Sequence, residues 1–501
     1  MVGMLIAGTS SDAGKSLVVT GLCRAFKRRG IDVAPYKAQN MSNNSMVCAD
    51  GAEIGRAQYL QALAAGVEPS SAMNPVLLKP GSDRRSFIVL RGQPGGVLES
   101  GQYATGRAHL AEAARAAYRE LAERHELIVC EGAGSPAEIN LRAGDYVNMG
   151  HARHFNLPVI LVGDIDRGGV LAAIYGTWGL LEPDDRRLLA GYIINKFRGD
   201  DTILAPGLAE LSARCGLAHL GTLPWLRGVW LDGEDTLTVG RWRAEGDAGD
   251  ELKVAVIRLP RISNATDVDA LAQEPGVTVQ VTTDPRVVAA ADLAVLPGSR
   301  STLSDLAWLR EQGLAEALER RGAQGAPVFA VCGGFQMLGH DIDDPVEGQG
   351  RARGLGLLPI DVAFHPEKIV ARATSSWRGH PVSGYEIHHG VCTPHPGAEP
   401  FLDGVRAGNV WGTMLHGSLE SDGFRRAFLA DVAAASGAEW RPSADAPTMG
   451  ERRERMIDTL ADACERHLDL ERLLELARLS ASDHPAEAKE SGENPGAVPP
   501  L

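Results

Sequence analysis

The stretch that decides the fold is Gly8-Thr9-Ser10-Ser11-Asp12-Ala13-Gly14-Lys15-Ser16. An apolar strand is predicted before it, at Met4–Ala7, and an amphipathic helix after it, over Ser16–Arg29. A loop between a strand and a helix binds phosphate well, because the free backbone amides of the first helical turn point at the anion. We therefore predict a P-loop nucleotide-binding domain at the start of the chain.

The residues of this loop have distinct expected roles. Its spacing departs from the common G-x-x-x-x-G-K-[ST] pattern, because Gly8 precedes Gly14 by six positions instead of five and Thr9 stands where the pattern has glycine. We expect the loop backbone from Gly8 to Gly14 to hold phosphates, Lys15 to reach the β- and γ-phosphate oxygens, and Ser16 to ligate Mg²⁺. ATP and Mg²⁺ are therefore the predicted ligands. A chance Gly/Ser turn is the alternative, which the flanking strand and helix disfavour.

A second motif, Ala330-Val331-Cys332-Gly333-Gly334-Phe335-Gln336, follows a predicted buried strand at 328–331. A cysteine on a sharp turn between a strand and a helix is typical of a nucleophile elbow, which exposes the sulfur and directs the helix N-terminus at it. Ala330 stands where such elbows usually have glycine. A buried structural cysteine is the alternative, and it is how we interpret Cys130 and Cys23, which occupy apolar strand and helix positions.

Composition excludes several classes of protein. The chain has 501 residues, 44% of them hydrophobic, which predicts two to three domains. With 50 Lys+Arg against 64 Asp+Glu the net charge is −14, so neither nucleic acid nor an anionic membrane is expected as a partner. The seven cysteines include no C-x-x-C pair and predict reduced thiols. No signal peptide or long apolar run is evident, and we expect a cytoplasmic protein.

Short apolar runs alternate with amphipathic helical patterns along most of the chain, which predicts α/β domains with parallel sheets covered on both faces. The predicted divisions are a P-loop domain at 1–240, a polar linker at 241–252, a second α/β domain at 253–445, a helical segment at 446–479 and a disordered tail at 480–501.

Two acidic residues directly follow predicted strands of the first domain. Glu131 comes after Leu127–Cys130, and Asp164 comes after Val159–Gly163. The carboxyl ends of parallel strands face the ligand crevice, so Glu131 is a candidate Mg²⁺ ligand, either direct or in the surrounding layer. A solvated loop acid is the alternative for both, and for Asp164 neither interpretation is preferred.

Four segments carry a resemblance to known families. The loop Gly8–Ser16 resembles that of dethiobiotin synthetase and its amidoligase relatives. Lys37–Asn44, Glu131–Leu141 and Asp164–Gly169 resemble the cobyric acid synthase family of cobalamin synthesis, and the likeness extends to about Leu476. The resemblance implies a doubly wound, dethiobiotin-synthetase-like P-loop domain followed by a triad-type glutamine amidotransferase α/β domain.

The same resemblance implies roles for individual residues of the first domain. Lys15, Ser16, Lys37 and Glu131 would belong to the nucleotide–metal site. Glu53 falls where dethiobiotin synthetase has a metal-binding acid, so it is a third predicted metal ligand beside Ser16 and Glu131.

In the second domain the resemblance implies that Cys332 attacks glutamine, that the N–H groups of Gly298 and Gly333 bind the oxyanion, and that His416 is the base. The adjacent histidines 388 and 389 are the rival, with a supporting role in the glutamine site or domain interface as their expected function. Triad-type glutaminases carry a glutamate two positions after the histidine. Here that position is Ser418 and the nearest acid is Glu420, so the group that orients His416 is left open.

The implied function is ATP- and glutamine-dependent amidation of the b, d, e and g carboxylates of adenosylcobyrinic acid a,c-diamide, giving adenosylcobyric acid through acyl phosphates. One alternative is a sister amidoligase acting on another polycarboxylate, of the cobyrinic acid a,c-diamide synthase type. Another is a regulatory P-loop ATPase of the partitioning type. That class has an extra lysine early in its loop, where this chain has Ser10.

Overall fold

The computed structural model describes residues 2–82, 85–99, 107–226, 228–229, 241–243, 251–348 and 350–482. Each half of the chain is built on its own large sheet. In the first half six strands form this sheet: β1 (Gly3–Gly8), β2 (Val33–Tyr36), β9 (Leu127–Glu131), β10 (Val159–Asp164), β11 (Leu189–Phe197) and β12 (Ala218–Pro224). Their order is β12-β11-β10-β1-β9-β2, and every neighbouring pair is parallel. The crossovers between parallel strands put helices on both faces, as the sequence predicts.

The helices of the first half are α1 (Lys15–Arg28), α2 (Arg56–Ala65), α3 (Ala108–Ala122), α4 (Met149–Phe155), α5 (Val170–Leu180), α6 (Pro183–Arg186) and α7 (Ala205–Cys215). Helix α1 buries the predicted face of Val18, Leu22 and Phe26, which recur every four residues and pack beneath the sheet.

Smaller β elements extend from this domain toward the second half of the chain. A four-stranded sheet contains β3 (Gln39–Met41), β6 (Val76–Ser82), β7 (Arg85–Leu90) and β8 (Gln93–Glu99), and a two-stranded hairpin contains β4 (Ser45–Val47) and β5 (Glu53–Gly55). The segment 37–45 therefore leaves the end of β2 and runs away from the main sheet.

The second half is built on an eight-stranded sheet with strands β13 (Arg241–Arg243), β14 (Leu252–Ile257), β16 (Val277–Thr282), β17 (Leu293–Leu296), β19 (Val328–Val331), β24 (Glu399–Phe401), β25 (Gly404–Ala407) and β26 (Val410–Thr413). The order is β13-β16-β14-β17-β19-β26-β25-β24, with a parallel centre and antiparallel edges.

Further strands lie above the carboxyl end of this sheet. They are the pair β15 (Ile262–Ser263) and β18 (Gly298–Ser299), and the four-stranded sheet of β20 (Asp341–Asp344), β21 (Gly350–Arg353), β22 (Ile360–Trp377) and β23 (His380–Pro394). The helices are α8 (Asp269–Ala272), α9 (Pro285–Ala290), α10 (Thr302–Glu311), α11 (Leu314–Ala323), α12 (Gly333–Met337) and α13 (Asp422–Ser436).

The last two helices among the described residues are α14 (Met449–His467) and α15 (Leu470–Ser482). They pack mainly on the first domain, while Met449 at the start of α14 lies in the core cluster of the second. Ile457 and Leu473 are fully buried in the same core cluster as Val18 of helix α1. The C-terminal segment thus returns across the molecule to complete the N-terminal core.

The predicted divisions differ from the structure at two places. Arg241–Arg243, assigned to the linker, forms an edge strand antiparallel to β16, because that edge offers unpaired backbone groups. Residues 244–250 lie outside the described residues. Helix α15 reaches Ser482, beyond the predicted start of the tail, and the remainder of the tail also lies outside the described residues. Within the described chain, no helix is both long and apolar enough to cross a membrane.

Candidate active sites

The P-loop lies between β1 and helix α1. Gly14 adopts φ 93°, a left-handed conformation that favours glycine, and a Cβ there would overlap the Asn195 side chain. The Lys15 ammonium crosses the loop and donates to the carbonyl oxygens of Ser10 at 3.1 Å and Gly134 at 3.2 Å. Gly8 and Thr9 begin the loop, where Thr9 N donates to Val162 O at 3.0 Å. The loop backbone is therefore fixed around the lysine.

The Glu131 carboxylate accepts hydrogen bonds from three side chains of this site. Ser16 Oγ and Lys37 Nζ each donate to its Oε1 at 2.9 Å, and Gln61 Nε2 donates to its Oε2 at 2.6 Å. Burial alone would raise the pKa of Glu131, but the Lys37 ammonium and the Gln61 amide hold it below the usual range. The structure thus brings together four of the residues predicted for one site: Lys15, Ser16, Lys37 and Glu131.

The Ser16 hydroxyl and the Glu131 carboxylate form a hard oxygen donor set that suits Mg²⁺. Within the described part of the chain, no three His, Cys, Asp or Glu side chains converge as a metal cluster. A Mg²⁺ ion held here would therefore take its other ligands from water and from the phosphates of a nucleotide.

Beside the P-loop is a cavity of 460 Å³ lined by Lys15, Lys37, Arg107 and Arg142. Its carboxylates are those of Asp12, Glu138 and Asp145, and Arg142 is itself paired with Asp185 at 2.6 Å. A cavity with several cationic side chains at the carboxyl end of a parallel sheet suits a polyanionic ligand.

Asp164 and Glu53, the other two acids singled out in the sequence of the first domain, lie outside the cluster around Glu131. Asp164 accepts from Lys196 Nζ at 2.7 Å, and Lys196 also donates to the Asp12 carbonyl at 2.7 Å, so this acid braces the loop. Among the contacts of the described residues, Glu53 meets neither Ser16 nor Glu131. It begins β5, and its buried carboxylate contacts the ammonium groups of Lys79 and Lys368. These lysines lower the pKa of Glu53, against the effect of burial.

Cys332 occupies the turn between β19 and helix α12, with φ 50° and ψ −113°. Its N–H donates to Thr413 O at 2.8 Å, and its carbonyl begins the helix. Gly333 lies against β18, since a Cβ there would be 2.8 Å from Ser299 N. The backbone of Gly298 and Gly333 is thus adjacent to the sulfur-bearing turn. This is the arrangement expected of an oxyanion site.

His416 follows β26, the neighbour of β19, and its side chain is only 1% exposed. Its Nδ1 is 2.6 Å from Asp267 Oδ2, and the Cys332 side chain is its other hydrogen-bond partner. Asp267 also accepts from Gly417 N at 2.8 Å, which fixes the carboxylate. Cys332, His416 and Asp267 therefore form a Cys-His-Asp arrangement.

Asp267 lies in a short 3-10 turn at 265–268, which follows β14 and β15. The sequence did not reveal Asp267, because the pattern of triad-type glutaminases places the acid shortly after the histidine. One signal was available: the polar stretch Ser263-Asn264-Ala265-Thr266-Asp267 lies downstream of a predicted strand whose carboxyl end faces the ligand crevice.

The electrostatics of this trio favour a charged imidazole. Burial disfavours the imidazolium, but the Asp267 carboxylate and the Cys332 sulfur outweigh burial and raise the pKa of His416 to about 10. Near neutral pH the His416 imidazole is therefore charged. A thiolate beside an imidazolium is the reactive form of such a pair.

The rival residues occupy other positions. His388 Nε2 is 3.3 Å from Glu386 Oε2, and His389 Nδ1 is 3.0 Å from His365 O. Both imidazoles line the small cavity that contains Cys332. Glu420, the acid nearest to His416 in sequence, instead pairs with Arg56 and with Arg453, at 2.6 Å from the latter.

The segment 37–45 connects the two sites. It begins at Lys37 beside Glu131 and ends against the turn that carries Asp267. There Ala265 N donates to Asn44 Oδ1 at 3.0 Å, and Ser45 N donates to Asn264 Oδ1 at 2.9 Å. This part of the domain interface therefore contacts the turn that carries Asp267 of the Cys-His-Asp trio.

Comparison with protein families matches both halves of the chain. Residues 4–239 match the CobQ/CobB/MinD/ParA nucleotide binding domain, and residues 253–424 match the CobB/CobQ-like glutamine amidotransferase domain. The predicted fold, a P-loop α/β domain followed by a glutamine amidotransferase α/β domain, is confirmed.

Individual relatives match almost end to end. A cobyric acid synthase of Cutibacterium acnes is 66% identical over 95% of this chain and 100% of its own length. Cobyric acid synthases of Mycolicibacterium gilvum and Mycobacterium tuberculosis are 56% and 55% identical, each over 95% of this chain and 97% of their own length. The chain is therefore a glutamine-dependent amidotransferase that belongs to the cobyric acid synthase family.

Proposed function

We propose that this chain couples glutamine hydrolysis to ATP-dependent amidation of the b, d, e and g carboxylates of adenosylcobyrinic acid a,c-diamide, in the cytoplasm. The single observation that carries this proposal is the presence, in one chain, of a P-loop site and a Cys-His-Asp trio joined by the segment 37–45. Identity of 66% to a cobyric acid synthase favours this substrate over that of a sister amidoligase. The second domain distinguishes the chain from a partitioning-type ATPase.

The glutamine half of the reaction begins at Cys332. Its sulfur attacks the side-chain carbonyl carbon of glutamine, and the N–H groups of Gly298 and Gly333 stabilise the oxyanion. His416 then gives its proton to the departing nitrogen, so that ammonia leaves and a thioester forms. Asp267 keeps the imidazole oriented through Nδ1. Hydrolysis of the thioester releases glutamate and regenerates the thiolate.

The ATP half of the reaction makes a carboxylate electrophilic. A corrin carboxylate oxygen attacks the γ-phosphorus, ADP leaves, and an acyl phosphate forms. Lys15 and Lys37 offset the negative charge that gathers between the carboxylate and the phosphates. Ser16 and Glu131 would hold Mg²⁺, which when bound neutralises phosphate charge. Ammonia then attacks the acyl carbon, and inorganic phosphate leaves to give the amide.

Isotope incorporation tests this function. The enzyme is incubated with ATP, adenosylcobyrinic acid a,c-diamide and glutamine labelled with ¹⁵N in its amide, and the product is analysed by mass spectrometry. We expect a product with one ¹⁵N at each of the b, d, e and g positions and one ADP released for each amide. A parallel incubation contains cobyrinic acid in place of the a,c-diamide. Labelling of cobyrinic acid at positions a and c, with no labelling of the a,c-diamide, would contradict the proposal.

A further inference from the structure

A buried ionic cluster joins the two domains beside Cys332. It consists of Lys79 from β6 of the first domain, Lys368 from β22 of the second domain, and Glu53 from β5. The Glu53 and Lys79 residues are 1% and 4% exposed, and the Lys368 side chain is 8% exposed. Both lysines line the same small cavity as Cys332.

The cluster carries one uncompensated positive charge. Glu53 Oε2 lies 2.5 Å from Lys368 Nζ, and Glu53 Oε1 contacts Lys79 Nζ, which also donates to Ser45 Oγ at 2.8 Å. Two ammonium groups thus share a single carboxylate. Of their six N–H bonds, three have an acceptor within the part of the chain that the structure describes.

Arg300 is the third cation on this cavity, and its charge is already balanced. Its guanidinium pairs with Glu347, which lines the same cavity. The excess positive charge therefore resides on Lys79 and Lys368. An unbalanced buried charge is costly in free energy. The cluster therefore favours binding of an anion that arrives with the ligand.

Glutamine brings one such anion whenever its amide reaches Cys332, namely its α-carboxylate. We propose that Lys79 and Lys368 together bind the α-carboxylate of glutamine, so that the ATP-binding domain supplies part of the glutamine site. This inference rests on the proposed glutamine hydrolysis at Cys332. It makes docking of the two domains a condition for recognising glutamine, and it explains why a lysine of the first domain lies in the cavity of the second.

Two thiol reagents separate this role from a structural one. 6-Diazo-5-oxo-L-norleucine contains the glutamine α-carboxylate, whereas iodoacetamide contains no carboxylate. Labelling of Cys332 by each is followed by mass spectrometry in the full-length enzyme. In Lys79→Met we expect the second-order labelling rate with the glutamine analogue to fall about 10- to 100-fold, the loss typical of a hydrogen bond to a charged group. The rate with iodoacetamide is expected to remain within about twofold of the original.

Lys368→Met should reproduce this selective loss, and Lys79→Arg should recover part of the rate, because it restores the charge. Lys253→Met, on an exposed position of β14, is the matched control and should change neither rate. An equal fall with both reagents, or no fall with either, would overturn the inference. Failure of the analogue to label Cys332 in the unaltered enzyme would instead overturn the proposed function.

Discussion

Cys332 is held in a backbone conformation that few non-glycine residues adopt. Its φ of 50° costs about 1–3 kcal/mol, and the hydrogen bond from its N–H to Thr413 O and the start of helix α12 keep it in place. The turn places the sulfur at the carboxyl end of β19, where Cys332 is 5% exposed. His416 and Asp267 approach from β26 and the turn after β15, so that three separate elements meet at one thiol.

Replacing Asp267 tests the electrostatic part of this arrangement. The carboxylate raises the pKa of His416, so the imidazolium persists at neutral pH and is lost as the pH rises through about 10. In Asp267→Asn the pKa of His416 should fall, and the alkaline limit of glutaminase activity should move to lower pH. We expect kcat/KM for glutamine to fall roughly 10²- to 10⁴-fold.

The measurement is the pH profile of glutamate release. Glu420→Gln is the comparison, because Glu420 is the acid nearest in sequence but pairs with Arg56 and Arg453. It should leave the alkaline limit in place. A profile of Asp267→Asn that coincides with that of the unaltered enzyme would show that another group orients His416.

These residues also show how far a sequence can predict a site. Lys15, Ser16 and Cys332 lie in local motifs whose spacing reflects the geometry of a single turn, so their placement was predictable. Asp267 lies 149 residues before His416, and only the packing of two distant elements brings them together. The resemblance to dethiobiotin synthetase predicted Glu53 at a metal site, and the structure places it beside lysines that come from two other strands.

At the scale of elements, helix α14, which follows the second domain in the chain, packs against helix α1 of the first domain. Its apolar face packs on helix α1, and its polar residues Glu454 and Asp458 pair with Arg24 at 2.9 Å each. The surface ion pairs contribute little, because they are partly exposed. Burial of Ile457 and its neighbours is the main stabilising term.

Truncation of Ile457 tests this assignment. The side chain is fully buried, so Ile457→Ala removes apolar contacts and leaves a cavity between α14 and α1. We expect the free energy of unfolding to fall by about 2–5 kcal/mol in a denaturant titration. The exposed neighbour Arg455 provides the control, and Arg455→Ala should change it by less than about 0.5 kcal/mol. Equal, small effects would show that α14 is not part of the folded core.

The central strands were predictable because buried parallel strands appear as uninterrupted apolar runs, such as 127–130 and 159–162 in β9 and β10. The smaller sheets were not, because their strands have mixed composition. The long hairpin of β22 and β23 has many exposed residues, and its pairing is set by its partner strand rather than by an apolar run.

At the scale of the whole molecule, the segment 37–45 runs from the ATP site to the turn that carries Asp267. Lys37 donates to Glu131 at one end, and Asn44 accepts from Ala265 N at the other. The turn that begins at Ala265 carries Asp267. The segment and its hydrogen bonds therefore link the two sites structurally, and a substitution within it tests whether they are coupled.

Asn44→Ala tests this connection. Losing the acceptor for Ala265 N should loosen the turn that positions Asp267, so glutamine-dependent synthesis should fall about 5- to 50-fold, while synthesis from ammonium should change less than about twofold. The two rates are measured as ADP release with the corrinoid substrate. Thr459→Ala, on helix α14 at a half-exposed position, is a control that should alter neither rate. Equal losses with both nitrogen sources would place the effect of Asn44 in the ATP site.

The central claim is that one chain has two chemically separate sites, one that releases ammonia and one that uses it. Amide synthesis by Cys332→Ser, measured side by side with glutamine and with a high concentration of ammonium, tests this most directly. A hydroxyl cannot supply the thiolate near neutral pH. We predict loss of synthesis from glutamine and retention of synthesis from ammonium, whereas Lys15→Ala should lose both. Loss of both activities in folded Cys332→Ser protein would contradict the account.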